Sequence, residues 1–121
     1  MQPEERDAAY LWNLVDAGRQ IQEFTAAITF NEYVGHQLLP SAVERQFEKL
    51  GEAARKVSSS FRDEHPEIPW KRIIGLRNIL THRYYAVDHA QIWTIIHDEL
   101  PPVLDAVGKL IPPLPPAVDE S

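Results

Sequence analysis

Apolar residues recur at helical spacing along nearly the whole chain. Leu11, Leu14, Gly18, Ile21, Thr25 and Ile28 fall three or four residues apart, the mark of a helix with one buried stripe. They predict a first long helix from about Glu4 to Ala27, opened by Pro3-Glu4-Glu5, a run suited to a helix start in backbone angle and in charge. Thr29 with Glu32 forms the capping-box pattern for a short turn before Gly35. Val43, Phe47, Leu50, Ala54 and Val57 predict a second long helix over about Pro40 to Val57. Gly51, Ala53 and Ala54 make a small-residue patch in it that another helix can approach closely. Ser58-Ser59-Ser60 and Pro66-Glu67-Ile68-Pro69 punctuate a connector, with one helical turn expected at Phe61 to Glu64.

A third helix is expected from Pro69-Trp70 to about His82. It carries Ile73, Ile74, Leu76, Ile79 and Leu80 and reads as apolar almost all round, as in a central or shared helix. Asp88 with Gln91 is an N-cap signature. Ile92, Ile96, Leu100, Val103, Val107 and Leu110 define the last helix, with Pro101-Pro102 expected as a kink or brief break. No strand-like alternation and no internal repeat occurs. The expected architecture is all-α, an antiparallel bundle of about four long helices over residues 1–111. Residues 112–121 form a Pro-rich tail, expected to be extended or disordered.

Composition narrows the function classes. The chain of 121 residues is 44% hydrophobic and 25% charged, which suits one soluble domain. It has no run apolar enough for a membrane span and an acidic, polar N-terminus unlike a signal peptide, so a cytoplasmic protein is expected. The absence of cysteine excludes disulfides, thiolate metal sites and cysteine nucleophiles. Twelve Lys and Arg against 18 Asp and Glu give a net charge of −6, the wrong sign for coating nucleic acid non-specifically. Between Ile68 and Val87, however, Lys71, Arg72, Arg77 and Arg83 occur with no acid, so an anionic ligand can be focused there.

The chemistry lies in Arg77-Asn78-Ile79-Leu80-Thr81-His82-Arg83-Tyr84. Arg77 fills a core step of the third helix, where a guanidinium is costly unless paired or needed. Asn78 and His82, four residues apart, lie within about 40° of one another around a helix. One segment thus offers a fixed cation, a neutral polar group and an imidazole that titrates near neutrality. That set suits phosphodiester cleavage without metal. Histidine can move the proton of a ribose 2′-hydroxyl or of the leaving 5′-oxygen, arginine can grip non-bridging phosphate oxygens, and asparagine can orient either. The structural alternative is a core helix in which Arg77 pairs with a carboxylate such as Glu52, and His82 only ends the helix, where an imidazolium suits the dipole.

The segment resembles the Arg-X4-His motif of HEPN domains, and more closely the Arg-X4-His-X-Tyr form of HepT-like toxin ribonucleases. Phe47 to Ala54, with its Gly51-Glu52-Ala53 core, is similar to that family's "hydrophobic-Gly-Glu-Ala" helix. Pro66-Glu67-Ile68-Pro69-Trp70, Gly75-Leu76-Arg77-Asn78, Tyr84 to Asp88 and Trp93 resemble its other blocks in order and spacing. The resemblance covers about Asp7 to Leu110. It implies a homodimer whose two motifs face one cleft, an RNA substrate, no cofactor, and a minimal nucleotidyltransferase antitoxin that silences the toxin by transferring AMP to the motif tyrosine, here Tyr84. Arg83, where acidic or small residues are common, and Tyr85, where phenylalanine is common, are the departures. Tyr85 leaves open which tyrosine is modified, and Arg83 adds a cation for RNA or nucleotide. Arg72 and Glu52 are the expected supporting residues, Glu52 either bracing Arg77 or acting at the cleft.

Rival readings are weaker. His36, His65, His82, His89 and His97 show no metal-binding spacing and read as surface or capping residues. Trp12, Trp70 and Trp93 read as core or interface anchors. Glu44, Arg45, Glu48, Lys49, Arg55 and Lys56 read as mostly a solvated helix face with favourable pairs. A catalytically silent helical module that docks a nucleotidyltransferase or a nucleotide is the alternative function; an intact Arg77, Asn78 and His82 argue against it.

Overall fold

A computed structural model of the protein describes residues 4–81 and 88–112, and their side chains apart from those of 77–81. Among these residues every regular element is helical. Helix α1 spans Glu5–Thr25, α2 Phe30–Gly35, α3 Leu39–Lys56, α4 Ser59–Glu64 and α5 Trp70–Thr81. Then come α6 (His89–Thr94), a π-helical turn (Ile95–Glu99) and α7 (Leu100–Gly108). The long helices fall within a residue or two of the ranges that periodicity predicts. Most of the Pro-rich tail, residues 113–121, lies outside the described residues.

Local chemistry starts each element. Thr29 and Glu32 close a full capping box: the Glu32 amide donates to Thr29 Oγ1 at 3.1 Å and the Thr29 amide to Glu32 Oε1 at 2.9 Å. The N-cap position of α3 is Leu38, which has no acceptor. The His36 ring substitutes, its Nδ1 accepting from the amides of Leu38 and Leu39 at 3.1 and 3.0 Å. Asp88 caps α6 by accepting from the Gln91 amide at 3.1 Å.

Helix α3 packs between α1 and α5, and α1 also contacts α7. The small residues Gly51, Ala53 and Ala54 of α3 are all buried, as a close helix approach requires. A second close approach lies at Gly18, where a Cβ would collide with Leu104 of α7, reaching its Cδ1 at 2.8 Å and its Cγ at 3.0 Å. Buried Asp7, in the first turn of α1, accepts from the Ser58 amide at 2.9 Å and the Ser58 hydroxyl at 2.6 Å, just past the end of α3. This tie fixes α1 and α3 as antiparallel. One core cluster runs from Leu11 and Leu14 through Phe47, Leu50, Ile73 and Leu76 to Leu104 and Val107.

The structure refines two expectations. Of the kink or brief break expected at Pro101-Pro102, the break does not occur, because residues 89–108 run on continuously through a π-helical turn. A proline lacks the amide that a helix interior uses, and its ring clashes with the carbonyl four residues back. The backbone widens just ahead of the pair, with the Leu100 amide donating to Ile95 O five residues back, so both prolines fall in the first turn of α7. The α3 polar face, expected to be mostly solvated, has one buried member, Glu44, at 5% exposure. Its outer neighbours behave as expected, with Arg45 3.3 Å from Glu48.

Candidate active site

Helix α5 carries the first part of the motif, and the connector before it acts as a bracket. The Trp70 indole donates to His65 O at 3.0 Å, and the Trp70 and Ile68 amides donate to Ile68 O and His65 O at 2.8 and 3.2 Å. Ile68 is buried beneath this turn, and the His65 ring lies on Phe61 with centroids 4.5 Å apart. The Glu67 carboxyl is held below the usual carboxylate range by its own backbone amide and by the His65 ring, 3.2 Å away. Pro-Glu-Ile-Pro-Trp therefore sets where α5 begins and how it is rotated.

From that start α5 buries Trp70, Ile73 and Leu76. Lys71 and Arg72 are exposed and Ile74 and Gly75 half-buried, so the described part of the helix is one-sided rather than apolar all round. The backbone stays helical through Thr81. By register Arg77 continues the stripe of Trp70 and Ile73, whereas Asn78 continues that of Lys71 and Ile74. The side chains of Arg77 and Asn78, and His82, Arg83, Tyr84 and Tyr85 entirely, lie outside the described residues.

Two expected supporting residues are described, and both have partners. Arg72 makes a two-pronged bridge to Glu99 in the π-helical turn, Nε to Oε1 and Nη2 to Oε2, each at 3.0 Å. The bridge raises the Arg72 guanidinium further and holds the Glu99 carboxyl below its usual range. A phosphate drawing on Arg72 must therefore compete with Glu99. Glu52 binds Arg55 on its own helix, with Oε1 2.6 Å from Nη2 and Oε2 3.1 Å from Nε, and Lys56 stands 4.0 Å away.

Two concavities flank α3. An apolar cleft of about 340 Å³ between α3, α5 and α7 is lined by Phe47, Leu50, Ile73, Leu76, Leu100 and Val103, with Arg72 and Glu99 on its wall. On the other side, between α1 and α3, lies a polar groove of about 610 Å³ that includes Tyr10, Asn13, Lys49 and Glu52. Lys56 stands over the Tyr10 ring there, 5.8 Å from its centroid.

The sequence reading did not single out Tyr33, which is fully buried. Its ring centroid lies 5.3 Å from that of Trp93 and 6.1 Å from that of His89. His97 continues the cluster, 4.3 Å from Trp93, with Nδ1 2.9 Å from Trp93 O. The legible signal was the spacing of residues 89, 93 and 97, which puts three aromatic rings on one helix face. Among the described residues no group of three or more side chains is placed to hold a metal ion, and no helix is long and apolar enough to cross a membrane.

A family model described as Ribonuclease HepT-like matches residues 14–110. A protein of Methanocaldococcus jannaschii named as a candidate RNase is 36% identical over 95 residues, which cover 78% of this chain and 87% of that one. A protein of Thermococcus cleftensis named as a candidate ribonuclease HepT is 33% identical over 101 residues, covering 84% of this chain and 92% of the relative. Another candidate RNase, from Caldanaerobacter subterraneus, is 31% identical over 102 residues, covering 84% and 91%. No solved structure matches the chain.

Proposed function

This chain belongs to the ribonuclease HepT-like family of all-helical HEPN ribonucleases, and on that premise we propose that it is a toxin endoribonuclease that cuts RNA without metal. The observation that carries the reading is the match over residues 14–110, which contains the whole Arg77-to-Tyr84 segment. In the proposed reaction His82 takes the proton of a ribose 2′-hydroxyl, or gives one to the departing 5′-oxygen. The 2′-oxygen attacks the adjacent phosphorus, the bond to the 5′-oxygen breaks, and a 2′,3′-cyclic phosphate remains. Arg77 stabilises the charge that grows on the non-bridging oxygens, and Asn78 orients the phosphate or the imidazole. Two chains pair so that their motifs share one groove, and the enzyme acts in the cytoplasm. RNA incubated with the purified chain and excess chelator should yield fragments with 2′,3′-cyclic phosphate and 5′-hydroxyl ends, read by mass. Cleavage that stops in chelator and returns only with a divalent ion would overturn the mechanism.

Control of the same site is proposed through Tyr84. A nucleotidyltransferase antitoxin joins the Tyr84 phenolic oxygen to the α-phosphorus of ATP, pyrophosphate leaves, and the bound AMP silences the nuclease. Each AMP brings about one negative charge within two residues of His82, where it competes with an RNA phosphate for Arg77 and Arg83. Co-expression with the transferase should add mass in units of AMP to the wild type and none to Tyr84→Phe. Mass that persists in Tyr84→Phe but is lost in Tyr85→Phe would move the site by one residue. An inactive complex of unchanged mass would replace modification by simple binding.

A further inference from the structure

A third concavity, of about 410 Å³, lies between α4 and the start of α5. It is lined by Arg62 and Asp63 of α4, Pro66 and Pro69 of the connector, and Trp70 and Lys71 of α5, among others. Its charged residues are two cations and one acid, on a chain of net charge −6. A concave surface with a local excess of positive charge concentrates an anionic ligand. Lys71 is exposed and Arg62 half-buried. Lys71 belongs to the acid-free basic stretch of the sequence, and folding adds Arg62 to it from a different helix.

The two cations stand on a braced frame. Ser58 caps α4, its hydroxyl accepting from the Phe61 amide at 3.3 Å, and is itself tied to Asp7 of α1. The Trp70–His65 bond then fixes the start of α5 against the end of α4. The backbones carrying Arg62 and Lys71 are thus set before any ligand arrives, which lowers the ordering cost of binding.

Position indicates which anion. Residues 71 and 78 are two turns apart on α5, within about 20° around it and about 10 Å along it, and the backbone is helical throughout. That span matches about three stacked nucleotides at about 3.4 Å each. Pro66 and Pro69 give the pocket apolar faces beside its cations, which suits a phosphate that carries a sugar and a base.

We propose that Arg62 and Lys71 form a subsite for the RNA strand flanking the scissile phosphate, each holding a backbone phosphate. The inference rests on the ribonuclease reading, which puts the cleavage chemistry at the other end of this helix. The test titrates a short 2′-O-methyl RNA, which lacks the attacking hydroxyl and stays intact, against the full chain at several salt concentrations. Lys71→Gln and the double variant Arg62→Gln/Lys71→Gln are compared with wild type. Lys109→Gln is the control, because Lys109 lies outside the pocket, 3.6 Å from Asp105.

The slope of log affinity against log salt should flatten by about 0.7 in Lys71→Gln and about 1.4 in the double variant. Near 0.1 M salt, binding should weaken about 5-fold and about 25-fold, and kcat/KM on cleavable RNA should fall in parallel. Lys71→Gln should melt near the wild-type temperature, since Lys71 is exposed, so its loss of binding is not unfolding. Wild-type slope and affinity in both variants of a chain that cleaves RNA overturn this inference alone. So does an equal flattening in Lys109→Gln, which would mark a general charge effect. A wild type that binds with the expected slopes yet cleaves nothing overturns the ribonuclease reading and leaves the subsite standing.

Discussion

Replacing His82 with alanine is expected to slow RNA cleavage by about 10²–10⁴-fold, the usual loss when a general acid or base is removed. Arg77→Ala should cost about 10²–10³-fold through lost stabilisation of the growing phosphate charge. Arg77→Lys should recover only part of this, because an ammonium cannot present a two-pronged fork. The fold should survive all three changes. Helix α5 is held by Trp70, Ile73 and Leu76 on its buried face, by the Trp70–His65 bond at its start and by the Arg72–Glu99 bridge on its flank. Circular dichroism and melting would therefore stay near wild type while the rate collapses. If His82 merely ends α5, the opposite pattern appears: a small drop in melting temperature from the lost interaction with the helix end, and unchanged cleavage.

The largest stability effect is expected at Phe47. Its side chain is 1% exposed and lines the apolar cleft together with Ile73 and Leu76 of α5 and Leu100 of α7. Truncation to alanine removes a ring from a site already bordered by open space, and such changes cost about 3–5 kcal/mol. A domain of this size is stable by about 5–15 kcal/mol in all, so melting should fall by about 10–20 °C at fixed protein concentration. Val34→Ser is the control, because Val34 is 42% exposed on α2 and should shift stability by no more than about 0.5 kcal/mol. Denaturant titrations of the two variants decide the matter. A Phe47→Ala protein within about 1 kcal/mol of wild type would mean that α3 and α5 are not joined through this ring.

What the sequence alone determined is local, or a matter of order along the chain. The stripe at Leu11, Leu14, Gly18 and Ile21 located α1, and Thr29/Glu32 and Asp88/Gln91 marked two helix starts that the backbone uses. These signals were legible because each acts through a bond or contact three or four residues away, inside one element. The chemistry proposed for Arg77 to Tyr84 rests on the same kind of local signal, since its groups are close in sequence and the blocks around it resemble those of the family in order and spacing.

Tertiary structure alone decided which side chains meet across elements. Arg72, expected as a supporting cation, is bound to Glu99, 27 residues on, because the π-helical turn ahead of Pro101-Pro102 carries that carboxylate. Glu44 shares the charge pattern of its neighbours on α3 yet is buried beside Tyr33, and Tyr33, unremarkable in sequence, sits with His89 and Trp93 at the start of α6. Helical period fixes which residues share a face, but not the rotation and slide of one helix against the next. Those are set by close approaches such as Gly18 against Leu104 and by ties such as Asp7 to Ser58, contacts between residues dozens of positions apart whose partners exist only once the chain has folded.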